Sequence, residues 1–474
     1  MRFRPALSTP LGLLFISSVC AKPLLPTPKD LPILGELEPL LVEKIYHAEN
    51  KSASLETIAQ DPNYLALLKK HNLTLLGGPA LGQLSASSVS IWFRTAQPAE
   101  VTVVLANRTI FGPVKTTFAD DLTGTISLTG LKPDTDYAYQ LLIDGQPASP
   151  RPKNLTFRTA PEANFNGKFA VAFGACSRYV PAAEPIWEVV AAQNPIAYLT
   201  LGDNVYIDHA ELQQKQRVHY YRRQFHPSYR VLTATTPIYS IWDDHDFAAN
   251  DDEGGPEVFK PAWKVKNFEV YKQNWNNPPY AGGKEQPGTF FDFVIGDVHF
   301  IMTDGRYYRH RKGKSLLGNF QKAWLKKTLA GSTSKFKVLC SGTLWTEHAD
   351  KGGKDSWQGY AHERDEIFSL IRDQKIGGVF LLSGDRHRHE MFKLGFNIGY
   401  PLYEFETAKV TNIHTHKANP HALFSYNEGN FFGLLDFDFT TANPTCTYRC
   451  VTEKGTRPEH LTFTVSLKDL TPPE

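Results

Sequence analysis

The 474-residue sequence contains few cysteines and carries little net charge, and each of these features excludes a class of protein. It holds only 5 cysteines, too few for a disulfide-built scaffold in a chain of this length. Its 51 Lys and Arg residues nearly balance its 49 Asp and Glu residues, for a net charge of +2, so no excess of positive charge indicates a nucleic-acid partner. With 41% hydrophobic and 21% charged residues, the composition excludes a disordered, collagen-like or coiled-coil protein. The length predicts two or three globular domains.

Long hydrophobic runs are also missing, apart from a short one near the N-terminus. Residues 1–21 combine two arginines with an apolar run over 11–19 that small residues follow. This run is shorter than the roughly 20 residues that span a bilayer, and its layout is typical of a cleaved secretory signal peptide. An uncleaved anchor is one alternative, and lipid attachment at Cys20 ranks second because the bulky Val19 precedes it. We therefore expect an exported protein, periplasmic or extracellular, without a transmembrane span.

The remaining cysteines are predicted to have three different environments. Cys446 and Cys450 are close in sequence, and in an oxidising compartment they are expected to pair as a local disulfide. Cys340 lies in an apolar run and is expected to be a buried free thiol. Cys176 follows the apolar run KFAVAFG and has no obvious partner, so we expect a role other than a disulfide.

The apolar patterning of the first third of the mature chain changes near residue 79. Residues 22–78 show helical spacing without catalytic residue types and are interpreted as a helical N-terminal extension. Residues 79–160 alternate apolar and polar side chains between turn residues, which predicts a small antiparallel β-sandwich. Within it, LKPDTDYAYQL resembles the tyrosine corner of fibronectin type III and immunoglobulin-like domains. The simplest role for this sandwich is a spacer packed on the next domain.

From 165 to 474, the pattern is that of a second, larger domain. Apolar strands alternate with helical stretches, yet several strand pairs have no helix between them. This organisation predicts an α/β fold with two mixed β-sheets in a sandwich flanked by helices.

Polar clusters follow five apolar strands of this larger domain. They are FGACSR with Cys176, LGDNVYID with Asp203 and Tyr206, IWDDHD with Asp244 and His245, MTDGRYYR with Arg306, and LLSGDRH with Asp385 and His387. A buried carboxylate needs a partner because an unpaired desolvated charge is costly, and a metal cation is a natural partner. Thiolate, phenolate, imidazole and carboxylate together suit iron(III) or a zinc-like ion, whereas carboxylates alone suit a harder divalent ion. The clusters therefore favour two unlike metals over a chance set of turns and ion pairs.

Four of these motifs resemble, in order, the motif set of the PhoD-like alkaline phosphatases and phosphodiesterases of the metallophosphatase superfamily. The motifs are FGACSR, GDNVYID, WDDHDFAAND and SGDRH. The resemblance runs from about residue 165 to the C-terminus, and a β-sandwich before the catalytic domain is also similar to that family. It implies a secreted phosphoric ester hydrolase that uses a metal-activated water on a phosphate-ester substrate.

The resemblance also implies a role for individual residues. The ligands of an iron(III) ion would be Cys176, Asp203, Tyr206 and His387. The ligands of a second ion, calcium or another divalent ion, would be Asp203 as a bridge, Asp244 and Asp385. His245 would contact phosphate or act as a general acid, and Arg306 would neutralise phosphate oxygens. The motif residues without an assigned role are Arg178, Asn204, Asp208, Asn250 and Asp251.

Three other functions stay open at this point. Purple acid phosphatases also join a β-sandwich to a metallophosphatase domain, but they carry Gly-Asn-His and Gly-His-x-His where this chain has carboxylates, at 243–245 and 384–387. The added carboxylates suit calcium better than zinc. A secreted binding protein with an inactive phosphatase domain is the second alternative, although all six ligand positions hold competent side chains. A metal-dependent oxidase or haloperoxidase is the third, and a hard divalent ion beside a Tyr–iron pair favours hydrolysis over it.

Overall fold

The computed structural model describes residues 35–152 and 154–473. The predicted signal peptide, 1–21, lies outside the described residues. The described part begins with short helical segments: α1 Leu37–Leu41, a π-helical turn Val42–Tyr46, α2 Leu55–Ile58 and α3 Pro62–Lys70. Strand β1 then begins at Leu75, inside the segment predicted to be helical, where LLGGPALG contains the glycines and proline that disfavour a helix.

Residues 75–158 form two small antiparallel sheets. Their strands are β1 Leu75–Gly82, β2 Ser88–Thr95, β3 Glu100–Leu105, β4 Ile110–Lys115, β5 Thr123–Thr129, β6 Asp136–Ile143, β7 Gln146–Pro147 and β8 Thr156–Arg158. One sheet has the order β1-β2-β5 and the other β4-β3-β6-β7, with β8 paired to β6. The Tyr137 hydroxyl accepts a 2.8 Å hydrogen bond from the backbone N–H of Lys132, a contact typical of a tyrosine corner. The fibronectin-like identity of this segment stays a prediction.

Residues 168–470 contain two mixed sheets with helices around them, so the predicted mixed α/β architecture is confirmed. The strands are β9 Lys168–Gly174, β10 Ala197–Leu201, β11 Ile238–Ile241, β12 Phe291–Ile295, β13 Val298–Met302, β14 Phe336–Cys340, β15 Val379–Ser383, β16 His389–Lys393, β17 Tyr403–Thr407, β18 Phe424–Tyr426, β19 Phe431–Asp438, β20 Thr445–Thr452 and β21 Thr462–Ser466. The helices are α4 Ile186–Ala192, α5 Gln213–Phe225, α6 Pro227–Thr233, α7 Asp244–Phe247, α8 Ala262–Asn274, α9 Gly318–Gly331 and α10 Ala361–Asp373.

The order of strands makes the parallel ones neighbours, on one side of the first sheet and in the middle of the second. The first sheet runs β11-β10-β9-β19-β20-β21, and the second runs β12-β13-β14-β15-β17-β16-β18. Strands β9, β10 and β11 are parallel to one another, as are β13, β14, β15 and β17. The parallel strands are continuous apolar runs, such as AYLTL in β10 and VFLLS in β15, because both of their faces are buried. The two sheets share one apolar core.

The predicted disulfide between Cys446 and Cys450 is wrong. Both residues lie in β20, where four residues of extended chain separate their Cα atoms by roughly 13 Å. A disulfide needs Cα atoms less than about 7 Å apart. Both thiols are buried and free, as are those of Cys176 and Cys340. The prediction that Cys340 is a buried free thiol is confirmed.

Across residues 35–152 and 154–473, no helix is both long enough and apolar enough to cross a membrane.

Candidate metal centre

The predicted site residues come together where four parallel strands end. Ends of parallel strands lie at one edge of a sheet, and here the two sheets bring their edges together: a Cβ placed on Gly384, after β15, would lie 2.5 Å from the Cβ of Ala175, after β9. One pocket of about 600 Å³ opens at this edge. The predicted site residues that line it are Asp203, Tyr206, Asp244, His245, Asp385 and His387.

The four residues assigned to iron form one compact group. Cys176 does not line the pocket but is fully buried beside it, with its Sγ 3.5 Å from Oδ2 of the pocket-lining Asp203. The Tyr206 hydroxyl lies 3.2 Å from Nε2 of His387. Donor atoms of Cys176, Asp203 and His387 all lie within 4.8 Å of one another. The structure therefore brings a thiol, a carboxylate, a phenol and an imidazole to one point.

The electrostatics of this group favour a cation. Burial and then neighbouring carboxylates hold the pKa of the Cys176 thiol, and that of the Tyr206 hydroxyl, well above their usual values. Burial likewise holds the pKa of Asp203 well above its usual value, and Asp244 adds to the shift. A bound cation reverses this preference, because it stabilises the ionised forms of its ligands.

The second group of predicted ligands lies on the other side of Asp203. Donor atoms of Asp203, Asp244 and His245 lie within 4.8 Å of one another. Asp244 is held in place by the backbone N–H of Asp251, which donates to its Oδ2 at 2.6 Å. Among the described residues, Oδ2 of Asp385 and Nδ1 of His387 are buried without any hydrogen-bond partner. Such unsatisfied buried atoms are costly, and these donors fit ions of the predicted kinds.

His245 lies at the pocket wall with its ring fixed from two sides. Its Nδ1 is 2.6 Å from Oδ1 of Asp208, and its ring stacks on Tyr206 with 4.3 Å between ring centroids. Burial alone would lower the pKa of His245, but the carboxylates of Asp203, Asp244 and Asp208 raise it to about 10. These carboxylates therefore favour the protonated imidazole, whose ring lines the pocket.

Arg306 does not line the pocket, so its position does not support the predicted contact with phosphate oxygens. Its guanidinium is fully buried behind the site and forms an ion pair with Asp243 through Nε. It also donates to Asp355 through Nη1 at 2.7 Å and through Nη2 at 3.1 Å. Its Nη2 lies 3.8 Å from Oδ1 of Asp244. The arginine thus pairs with three carboxylates, of which Asp244 lines the pocket.

The backbone at the site is unusual. Five of the six predicted ligands have a positive φ: Cys176 at 58°, Asp203 at 55°, Tyr206 at 52°, Asp385 at 81° and His387 at 54°. Asp and His tolerate this left-handed region better than most residues, whereas Cys and Tyr rarely adopt it. The turns after β9, β10 and β15 therefore aim their side chains at the pocket through locally strained backbone.

The position before Asp203 requires glycine for a steric reason. Gly202 has a φ of +97°, and a Cβ at this position would lie 2.4 Å from the Cβ of Asp243. The turns that follow β10 and β11 touch at this point, and only glycine leaves room for both.

The motif residues without a predicted role divide into two sets. Asn204 is structural, since its side-chain amide donates to the carbonyl of Ile241 at 2.9 Å and to Oδ2 of Asp246 at 2.8 Å. Asp208 orients His245, as described above. Asp208 lines the pocket, as do the other three, Arg178, Asn250 and Asp251.

Several pocket residues were missed by the sequence reasoning. They include Lys351, Arg386, Asn412, His414 and His416. The Asn412 side-chain amide donates to the Tyr206 hydroxyl at 2.7 Å, and three of these residues lie in the run NIHTHK at 412–417. That spacing of polar residues after a strand was an available signal. The loop that carries Lys351 contains no comparable motif.

Comparison with known proteins places the chain in a family. The sequence model of the PhoD-like phosphatases matches residues 169–455, and that of a domain of unknown function, DUF7800, matches residues 72–161. Alkaline phosphatase D of Bacillus subtilis (strain 168) is 24% identical over 310 residues, which cover 55% of this chain and 52% of that protein. The match therefore spans about half the length of this curated relative.

Solved structures show the same fold at low sequence identity. A structure of PhoD is similar with a TM-score of 0.69 and 18% identity, over 82% of this chain and 90% of that one. The purple acid phosphatase PPD1 from yellow lupin (Lupinus luteus) seeds is similar with a TM-score of 0.60 and 15% identity, over 82% of this chain and 74% of that one. The sequence model of the PhoD-like phosphatases matches more than half of this chain's length, so the chain belongs to the PhoD-like phosphatase family.

Proposed function

We propose that this protein is a metal-dependent phosphoric ester hydrolase of the alkaline phosphatase or phosphodiesterase type. The observation that carries the proposal is the convergence of metal-binding side chains from four strand ends on one pocket of about 600 Å³. Membership of the PhoD-like phosphatase family supports it. The similarity to a purple acid phosphatase is one of fold alone.

The proposed centre contains two unlike ions. Iron(III) would be held by Cys176, Asp203, Tyr206 and His387. Calcium, or another divalent ion, would be held by Asp203, Asp244 and Asp385. When bound, such a pair lowers the pKa of a coordinated water and neutralises charge on the phosphoryl oxygens. The donor types and the unsatisfied buried atoms of Asp385 and His387 support this assignment.

The chain's own residues supply the remaining functions of the site. His245, protonated and fixed by Asp208, would donate its proton to the leaving oxygen of the ester. Lys351 and Arg386 line the pocket and would attract the anionic substrate. Arg306 acts behind the site, where it holds Asp243 and Asp355 in place. It is a positioning residue in this proposal.

We further propose that the protein is secreted after removal of residues 1–21, and that 165–474 is its catalytic domain. The fibronectin-like sandwich at 79–160 would be a spacer packed on that domain. Three hydrogen bonds between them support this role. The Tyr139 hydroxyl donates to the carbonyl of Ala234, the backbone N–H of Leu84 to the Tyr239 hydroxyl, and the Trp92 indole to the carbonyl of Gln273, each at 2.9 Å.

Turnover of chromogenic phosphate esters tests the proposed function. The purified protein should hydrolyse a nitrophenyl phosphate monoester or diester, lose this activity in a chelator, and regain it with iron and calcium. The Asp203→Asn variant is the matched control, because it changes one atom of the bridging ligand. A wild-type protein with both metals bound and no turnover of either ester would favour the alternative of a binding protein with an inactive phosphatase domain.

A further inference from the structure

An acidic corner lies beside the proposed metal centre. It is formed by Asp244, Asp251 and Asp355, whose carboxylate oxygens lie within 4.8 Å of one another. Asp244 and Asp355 are buried and Asp251 is half-buried. Carboxylate oxygens are ligands of Ca²⁺ in proteins, and three carboxylates this close together at low solvent exposure need positive charge from some source.

A lysine side chain reaches into this corner. The Nζ of Lys351 lies 2.6 Å from Oδ2 of Asp355 and 3.5 Å from Oδ1 of Asp251. The same ammonium donates to Oδ1 of Asp385, a proposed metal ligand, at 2.8 Å. The Lys351 side chain is 15% exposed, so its charged end is held among carboxylates and faces the pocket.

We propose that the Lys351 ammonium is the built-in cation of the acidic corner and takes the place of a further divalent ion there. The inference rests on the proposed metal centre and adds one feature to it. The chain would thereby keep a positive charge on the pocket wall whatever the supply of calcium. The same contact would position Asp385 for the second metal, which makes Lys351 a positioning residue.

The distribution of charge around the corner supports this role. Asp355 has two other cationic partners, since Arg306 and Arg309 both form ion pairs with it. Among the described residues, Lys351 is the only Lys or Arg that forms an ion pair with the carboxylate of Asp251 or Asp385, while Arg311 contacts the backbone carbonyl of Asp251. Its charge therefore acts mainly on these two pocket-lining carboxylates. Without it, these two carboxylates would lose their ion-pair partner and stay beside the other acidic groups of the corner, which is unfavourable at low solvent exposure.

Counting bound calcium tests the proposal directly. Wild type and the Lys351→Met variant would be dialysed to equilibrium against CaCl₂, and calcium and iron per chain measured by mass spectrometry. We expect Lys351→Met to bind one more Ca²⁺ per chain than wild type, with unchanged iron, because the vacated carboxylates form an oxygen-rich cation site. Lys351→Arg should keep the wild-type count.

A matched control removes the same charge from the same loop. Lys354 is exposed, and Lys354→Met should leave the calcium count at the wild-type value. Equal counts in wild type and Lys351→Met, or the same gain in Lys354→Met, would overturn the proposal.

A folding readout covers the case in which the variant is unstable. Ca²⁺ should raise the melting temperature of Lys351→Met, and of the less disruptive Lys351→Gln, more than that of wild type. Failure of both variants to fold with or without Ca²⁺ would contradict the idea, because an external ion should replace a built-in one. The count requires no turnover, so a protein without esterase activity would refute the proposed function and leave this result standing.

Discussion

Replacing Arg306 with methionine tests whether this residue supports the site from behind or contacts the substrate. The Arg306 guanidinium is fully buried and contacts Asp243 and Asp355. Methionine fills a similar volume but can donate no hydrogen bond and carries no charge. The variant therefore leaves buried carboxylates behind without greatly changing the packing around them.

The expected loss of stability depends on which cationic partners each carboxylate keeps in the variant. Asp355 retains Arg309 and Lys351 as partners. Asp243 loses the only cation within 4 Å of it among the described residues, and its Oδ2 is already buried without a hydrogen-bond partner there. Removing one partner of a buried ion pair typically costs about 3–5 kcal/mol. We expect about 3 kcal/mol for Arg306→Met, the lower end, because only Asp243 is left uncompensated.

Urea unfolding followed by tryptophan fluorescence measures this loss as a shift of the unfolding midpoint. The control is the double variant Arg306→Met with Asp243→Asn, which should recover most of the lost stability because the unpaired buried charge is then gone. A substrate contact predicts the opposite pattern, with a raised KM and a free energy of unfolding within about 0.5 kcal/mol of wild type. That result would refute the structural role assigned here to Arg306.

Three further substitutions test the proposed roles at the pocket. Asp203→Ala should lose both metals and activity together, and turnover with both metals still bound would contradict the bridging role. Cys176→Ser should deplete iron and change the charge-transfer absorption of the purified protein, whereas a disulfide at Cys176 in the active enzyme would refute its ligand role. His245→Ala should retain the metals but lower turnover by about 10²- to 10⁴-fold, as expected for a lost proton donor. An unchanged rate would exclude that role.

Much of the site could be predicted because its residues follow buried strands. Apolar runs such as AYLTL and VFLLS predict strands with two covered faces, and parallel strands of this kind end at one edge. Asp203 and Asp385 each follow such a run after one glycine, so their position at a strand end could be predicted. Their convergence depends also on how the two sheets pack, because β10 and β15 lie in different sheets. The grouping of Cys176 with them has the same origin.

The direction of Arg306 could not be predicted in this way. It also follows a buried strand, β13. In the sheet order, β13 is not next to β15, the strand that Asp385 follows. The pairing of Arg306 with Asp243 depends on contacts between two sheets that sequence spacing does not encode. Lys351 was missed for a related reason, since it lies in a loop between β14 and α10 without any recognisable motif.

The error at Cys446 and Cys450 was avoidable. CTYRC alternates, and an alternating segment predicts a strand with both cysteines on one face. Extended chain then keeps the two thiols apart. A spacing of four residues implies proximity only in a helix or a turn.

The left-handed backbone at five of the predicted ligands has a consequence for the protein without its ions. Such conformations cost about 1–3 kcal/mol each and persist only where the surrounding structure imposes them. Here the buried strands and the glycine-assisted turns between them supply that support. Pre-organisation of this kind means that an arriving ion meets ligands already in position, so little ordering accompanies its binding. Chelation should therefore abolish activity while the fold persists, and re-addition of metal should restore activity without a refolding step.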